Sequence, residues 1–145
     1  MDSISAQAHD ERTARIALAL FAEPDDPTTG RLVGRVGAVE TVRLLASDGA
    51  VPGMGNEAAA LWRRHFQPER QPNAMRDALR TTEALGLSTL IPGDQGFPAS
   101  LHDLRERVPY VLWVKGAVSL LAGDLTERFS ITGSRAATSY GVHVA

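Results

Sequence analysis

The sequence predicts an α+β chain, with a helical first part followed by the opening of an α/β unit. Three observations support this. Apolar residues recur at helical spacing through the first half and beyond. After Gly86 the pattern changes to short branched and aromatic runs punctuated by Pro and Gly. The last of these runs feeds a loop led by Gly133, the arrangement that begins an α/β unit. The boundary is placed at 86, giving a helical N-terminal domain over 1–86 and the start of a second domain over 87–145.

Residues 11–22 (ERTARIALALFA) carry Ile16, Leu18, Leu20 and Phe21 among alanines and charges, which predicts a helix with a broad apolar face. Pro24 and Pro27 stop it. Asp26 before Pro27 is a cap followed by the favoured first-turn residue, so a second helix with Leu32, Val33 and Val36 starts there. Gly34 and Gly37 loosen its end. The spacing of Val39, Val42 and Leu45 predicts a helix over 38–46, closed by Ser47, Asp48 and Gly49. Residues 51–55 form a turn, and Asn56 is expected to cap a helix carrying Leu61, Trp62 and Phe66. A further helix is expected over 73–85.

Beyond Gly86, Leu87 to Ile91 reads as a strand ended by Pro92, Gly93 and Asp94. A short helix through Leu101 and Leu104 follows Phe97 and Pro98. Tyr110 to Val114 (YVLWV) is expected to be a buried strand, and Val118 to Ala122 a brief helix. Phe129 to Thr132 is the strand that enters the Gly133 loop. No internal repeat or low-complexity segment is visible.

With 145 residues and 43% hydrophobic content, the chain predicts a folded core rather than disorder. The absence of cysteine excludes disulfides, cysteine-ligated zinc and thiol catalysis, and it fits a reducing compartment, so the cytoplasm is the expected location. No apolar run is long enough for a signal sequence or a membrane span. A net charge of −2 argues against a surface coated with cations, but not against a local basic patch. Only Lys115 among the 15 basic residues is a lysine. Guanidinium can grip a phosphate through two hydrogen bonds where ammonium acts as a point charge.

Chemistry concentrates in ERFSITGSRAATSYGVHVA. Gly133 lets the backbone turn sharply and removes the Cβ that would block a ligand. First-turn amides of the next helix point outward at the positive end of its dipole and favour an anion. Ser134 and Thr138 add hydroxyls, and Arg135 adds a charged fork. Gly133, Ser134, Arg135 and Thr138 are therefore the candidate oxyanion site. Tyr140 is equally suited to base stacking or to packing in the new helix and is left outside that site.

Gly133-Ser134-Arg135, Ala137-Thr138 and Tyr140-Gly141 resemble the GSR-x-A-T-x-Y-G segment of the DprA/Smf family of DNA processing proteins. Phe97-Pro98 with Leu101 is similar to that family's Y-P-x-x-L stretch. Residues 109–116 (PYVLWVKG) are similar to its P-x-V-L-Y-x-K-G stretch, with Phe97 and Trp113 standing where the family has Tyr. The helical part also resembles actinobacterial members.

The resemblance implies a SAM-like or helix-hairpin-helix-like N-terminal module followed by the beginning of a Rossmann-like domain. It implies single-stranded DNA binding, protection of that strand and hand-over to the RecA recombinase during natural transformation. Gly133, Ser134, Arg135 and Thr138 would meet the DNA phosphates, independent of sequence. Dimerisation of the family-length protein is also implied, with no cofactor and no bond made or broken. The family's nucleotide-binding domain continues well past this length. A fragment or truncated product is therefore expected, binding DNA weakly alone or using a partner to complete the sheet.

Other signals have plainer readings. Gly34-Arg35-Val36-Gly37 is similar to a helix-hairpin-helix turn but has one residue too many for the common form, and a helix C-cap is the simpler expectation. Arg63, Arg64 and His65 beside Trp62 could form a basic and aromatic patch, but the spacing predicts arginines in water and Trp62 and Phe66 in the core. His65, His102 and His143 lack paired ligand spacing, so no metal site is expected. Asp25-Asp26 reads as a cap rather than a catalytic pair.

Two rival functions remain. An oxidoreductase loop would need glycines where Ala137 and Ser139 stand, and Val144 occupies the position four after Tyr140 where a catalytic Lys would be. A helical protein-interaction module without DNA affinity is the other alternative.

Overall fold

The computed structural model describes residues 4–23, 25–68 and 73–123, and singly 71, 126, 138, 139 and 143. The chain begins with α1 (Ile4–Gln7) and α2 (Glu11–Phe21). Asp10 starts α2 through a capping box: its carboxylate accepts the Thr13 N–H at 2.8 Å, and the Thr13 hydroxyl accepts the Asp10 N–H at 3.2 Å. The Thr13 N–H is the main reason the Asp10 carboxyl is held below its ordinary value. The predicted cap of α3 (Pro27–Val36) forms as expected: Asp26 accepts the Thr28 and Thr29 N–H groups, each at 3.0 Å, ahead of Pro27.

Gly37 alone separates α3 from α4 (Ala38–Leu45), at φ 84°, a value that favours glycine. One residue in this region turns the chain and stacks the two helices on each other. In α5 (Asn56–Arg63) the cap is Gly55, and Asn56 is the first helical residue with no side-chain capping bond, which corrects the expected role of Asn56. The Gly55 backbone is extended, at ψ 163°, and already has the geometry a cap requires. The helix expected over 73–85 is α6 (Ala74–Ala84), flanked by Asn73 and Leu85.

β1 (Ser88–Leu90) and β2 (Leu112–Val114) pair antiparallel, with Thr89 opposite Trp113. Residues 99–107 and 118–122 are 3-10 helices. The chain as described is thus mostly helical with a small two-stranded sheet, an α+β arrangement. Both strands are shorter than the apolar runs that predict them. Ile91, Tyr110 and Val111 leave the ladder and join the helical core instead. Nor is β2 uniformly buried. Trp113 is 39% exposed, and its indole N–H donates to the Thr82 hydroxyl at 3.1 Å. A two-stranded pair covers one face, so alternate residues face outward. The strand expected at 129–132 lies outside the described residues.

Ile16, Ala17, Leu18, Val33, Val42 and Leu45 form the centre of the main core, where Phe66 meets Phe21 edge-to-face at 6.1 Å. Ile91, Tyr110 and Val111 complete it, so the segment after residue 86 packs directly on the helices. Leu32, Leu44, Val51 and Ala59 make a smaller cluster under α5.

Candidate nucleic-acid interface

Of the four residues predicted to hold an oxyanion, Gly133, Ser134 and Arg135 lie outside the described residues, as does Tyr140. Thr138 is described and is solvent-exposed. The structure does define how the chain leading to that loop is anchored, and which of the other candidate sites are open to a ligand.

The anchor is Arg12 on α2. Its guanidinium donates to both oxygens of Asp94 at 2.9 Å and to the Thr89 carbonyl at 2.7 Å. Asp94 in turn accepts the Ile91 N–H at 2.9 Å. Burial opposes ionisation of Asp94, but the Ile91 N–H and the Arg12 guanidinium outweigh it and hold the carboxyl below its ordinary value. A planar fork bonded to both carboxylate oxygens and a strand carbonyl fixes the orientation of β1 on the helical part. Arg107 adds a second tie, donating to Asp25 at 2.9 Å. Asp25, like Asp26, is therefore occupied by a structural role.

The Gly34-Arg35-Val36-Gly37 turn does not work as a helix-hairpin-helix would require. Such a turn offers the first amides of the following helix to a phosphate. Here the Ala38 N–H already donates to the Glu11 carboxylate at 3.0 Å, and Glu11 is neutralised by Arg15 at 2.8 Å. The amide site is filled by an internal anion.

The patch at Trp62 to His65 takes the plainer reading as well. Trp62 donates its indole N–H to the buried Thr29 hydroxyl at 2.8 Å, and Thr29 donates to Asp26 at 2.6 Å. Arg63 is a clamp on backbone carbonyls, donating to Leu44 at 2.8 Å and Gly49 at 2.6 Å, where it caps the end of α4. Tyr110 belongs to the same buried region. Burial, with the Asp26 charge second, pushes its hydroxyl up to about 12. No group of three metal-ligating side chains occurs among the described residues.

No helix among the described residues is long and apolar enough to cross a membrane. Residues 88–145 match the family described as DNA recombination-mediator protein A. The match begins at the first residue of β1 and contains the whole Gly133 loop. No curated protein and no solved structure matches the chain.

Proposed function

We propose, from the family that residues 88–145 match, that the chain binds single-stranded DNA in a recombination-mediating role. The observation that carries this reading is the coincidence of the family match with the Gly133-Ser134-Arg135 and Thr138 positions. Their chemistry suits phosphodiester oxygens: a Cβ-free turn, two hydroxyls and a guanidinium.

In this reading the loop positions a strand by its phosphates and ignores base identity. The chain would be a non-enzymatic, cytoplasmic component of a Rossmann-like DNA binder behind a SAM-like helical module. It would hold incoming single strands and pass them to the RecA recombinase, and in the family-length protein it would work as a homodimer. Binding by these 145 residues alone is expected in the range of sequence-independent contacts, about 10⁻⁴–10⁻⁶ M at moderate salt.

Fluorescence anisotropy of a labelled oligothymidine, followed by competition with an unlabelled single strand or a duplex of equal length, tests the reading. Displacement by the single strand at much lower concentration than by the duplex supports it. Absence of any anisotropy change up to about 10⁻⁴ M protein at low salt supports the helical protein-interaction module instead.

A further inference from the structure

The arginines on the outer face of α3 pair with no carboxylate among the described residues, although Arg31 donates to the Thr28 hydroxyl at 3.2 Å. Arg31 and Arg35 are one helical turn apart and exposed, and between them Gly34 has open space on its outer side. Across from them runs the 3-10 segment 99–107. Its backbone sits so close to α3 that any Cβ at Gly30 would overlap the Glu106 carbonyl. A groove of about 350 Å³ results, lined by Gly30, Arg31, Gly34, Arg35, Arg105 and Glu106.

Three features make this groove more than a solvated face. The arginines at 12, 15, 43 and 107 each pair with a carboxylate. Arg31, Arg35 and Arg105 pair with none among the described residues, although Glu106 stands in the same groove. Arg105 occupies its place at φ 54° and ψ −116°, a conformation that L side chains rarely adopt. Gly34 leaves the floor open between the two cations, so that a ligand can reach the helix backbone there, while Gly30 is covered by the Glu106 carbonyl.

We propose that this groove binds the phosphodiester backbone of single-stranded DNA, as a second contact distinct from the Gly133 loop. The proposal rests on the single-strand-binding reading above and extends the strand's path onto the helical part. Unpaired guanidiniums without an aromatic side chain in the lining suit phosphates rather than bases. Tying residues 99–107 to α3 would then couple strand binding to the same segment that leads on to β2.

The test is the salt dependence of oligothymidine binding by the full chain and by R31Q/R35Q, R105Q, E106Q and Arg135→Ala. The expected result is a log–log salt slope flatter by about 0.7 for each phosphate contact removed, so by about 1.4 for the double variant. E106Q, which removes the only carboxylate among the described lining residues without altering the backbone contact to Gly30, should bind several-fold more tightly. Circular dichroism confirms that each variant folds.

Unchanged slopes in the groove variants, with loss of binding in Arg135→Ala, would overturn the groove while leaving the single-strand reading intact. Flattened slopes in the groove variants with no effect of Arg135→Ala would support the groove and remove the loop. If the wild-type chain does not bind DNA, but inorganic pyrophosphate shifts the arginine Nε–H resonances of the groove, the nucleic-acid proposal fails and a free-phosphate site takes its place. Neither ligand binding would overturn both.

Discussion

Replacing Asp94 with Asn should destabilise the chain in a way that disappears in acid. Asp94 accepts two bonds from Arg12 and one from the Ile91 N–H, all at 2.9 Å. A hydrogen bond to a charged group contributes about 1.5–3 kcal/mol when shielded, and an exposed ion pair about 0.2–1 kcal/mol. The side chains here are 41% and 23% exposed, which places the pair between these limits. Asn can keep the Ile91 N–H bond and one weaker bond to Arg12, so the loss should be about 1–2 kcal/mol at pH 7. For a domain of this size that lowers Tm by about 2–8 °C.

The sign with pH follows from the depressed carboxyl of Asp94. A group that ionises more readily folded than unfolded stabilises above its unfolded value, here the ordinary 3.8, and loses that contribution as pH falls through the folded value. Urea unfolding at pH 7 and at about pH 2 should therefore show a deficit for Asp94→Asn at the first and nearly none at the second. Pairing it with Arg12→Met in a double-mutant cycle isolates the coupling. A deficit of equal size at both pH values would refute the assignment to an ionised pair, as would full additivity in the cycle.

Three further outcomes follow from the packing. Gly30→Ala should cost about 1–3 kcal/mol in urea unfolding because the Glu106 carbonyl must move, whereas Gly34→Ala, open on its outer side, should stabilise by about 0.4–1 kcal/mol. Asp26→Ala should cost about 1–2 kcal/mol by removing the cap of α3 and the acceptor of the Thr29 hydroxyl, read by thermal unfolding. Absorbance titration at the tyrosinate band should show Tyr110 ionising near pH 12. Because its folded value lies above the unfolded 10, its contribution to stability is whole below pH 10 and is lost as pH rises towards 12.

Features set by neighbouring residues were legible in the sequence. Asp26-Pro27 announces the start of α3, and the apolar spacing over 38–46 announces α4, because caps and periodicity are encoded within one or two turns. Strand lengths were not, since Ile91 and Val111 are drawn into the helical core by packing that no local pattern reveals. The same holds for the closed turn at Gly37, whose amide donor is taken by a carboxylate 27 residues earlier in the chain. The arginine groove joins residues of α3 to Arg105 far along the chain, and only the strained backbone at Arg105 and the close approach at Gly30 bring it together. The loop at 133–138 was the reverse case. It was readable as a motif and falls within the family match over 88–145, with its geometry outside the described residues save Thr138.

The central claim is that Arg135 meets a phosphate of single-stranded DNA, and the most direct test is oligothymidine anisotropy at two salt concentrations for wild type and Arg135→Ala. The account predicts weaker binding by the variant at low salt and a log–log slope flatter by about 0.7. Identical affinity and slope in the two proteins would contradict it.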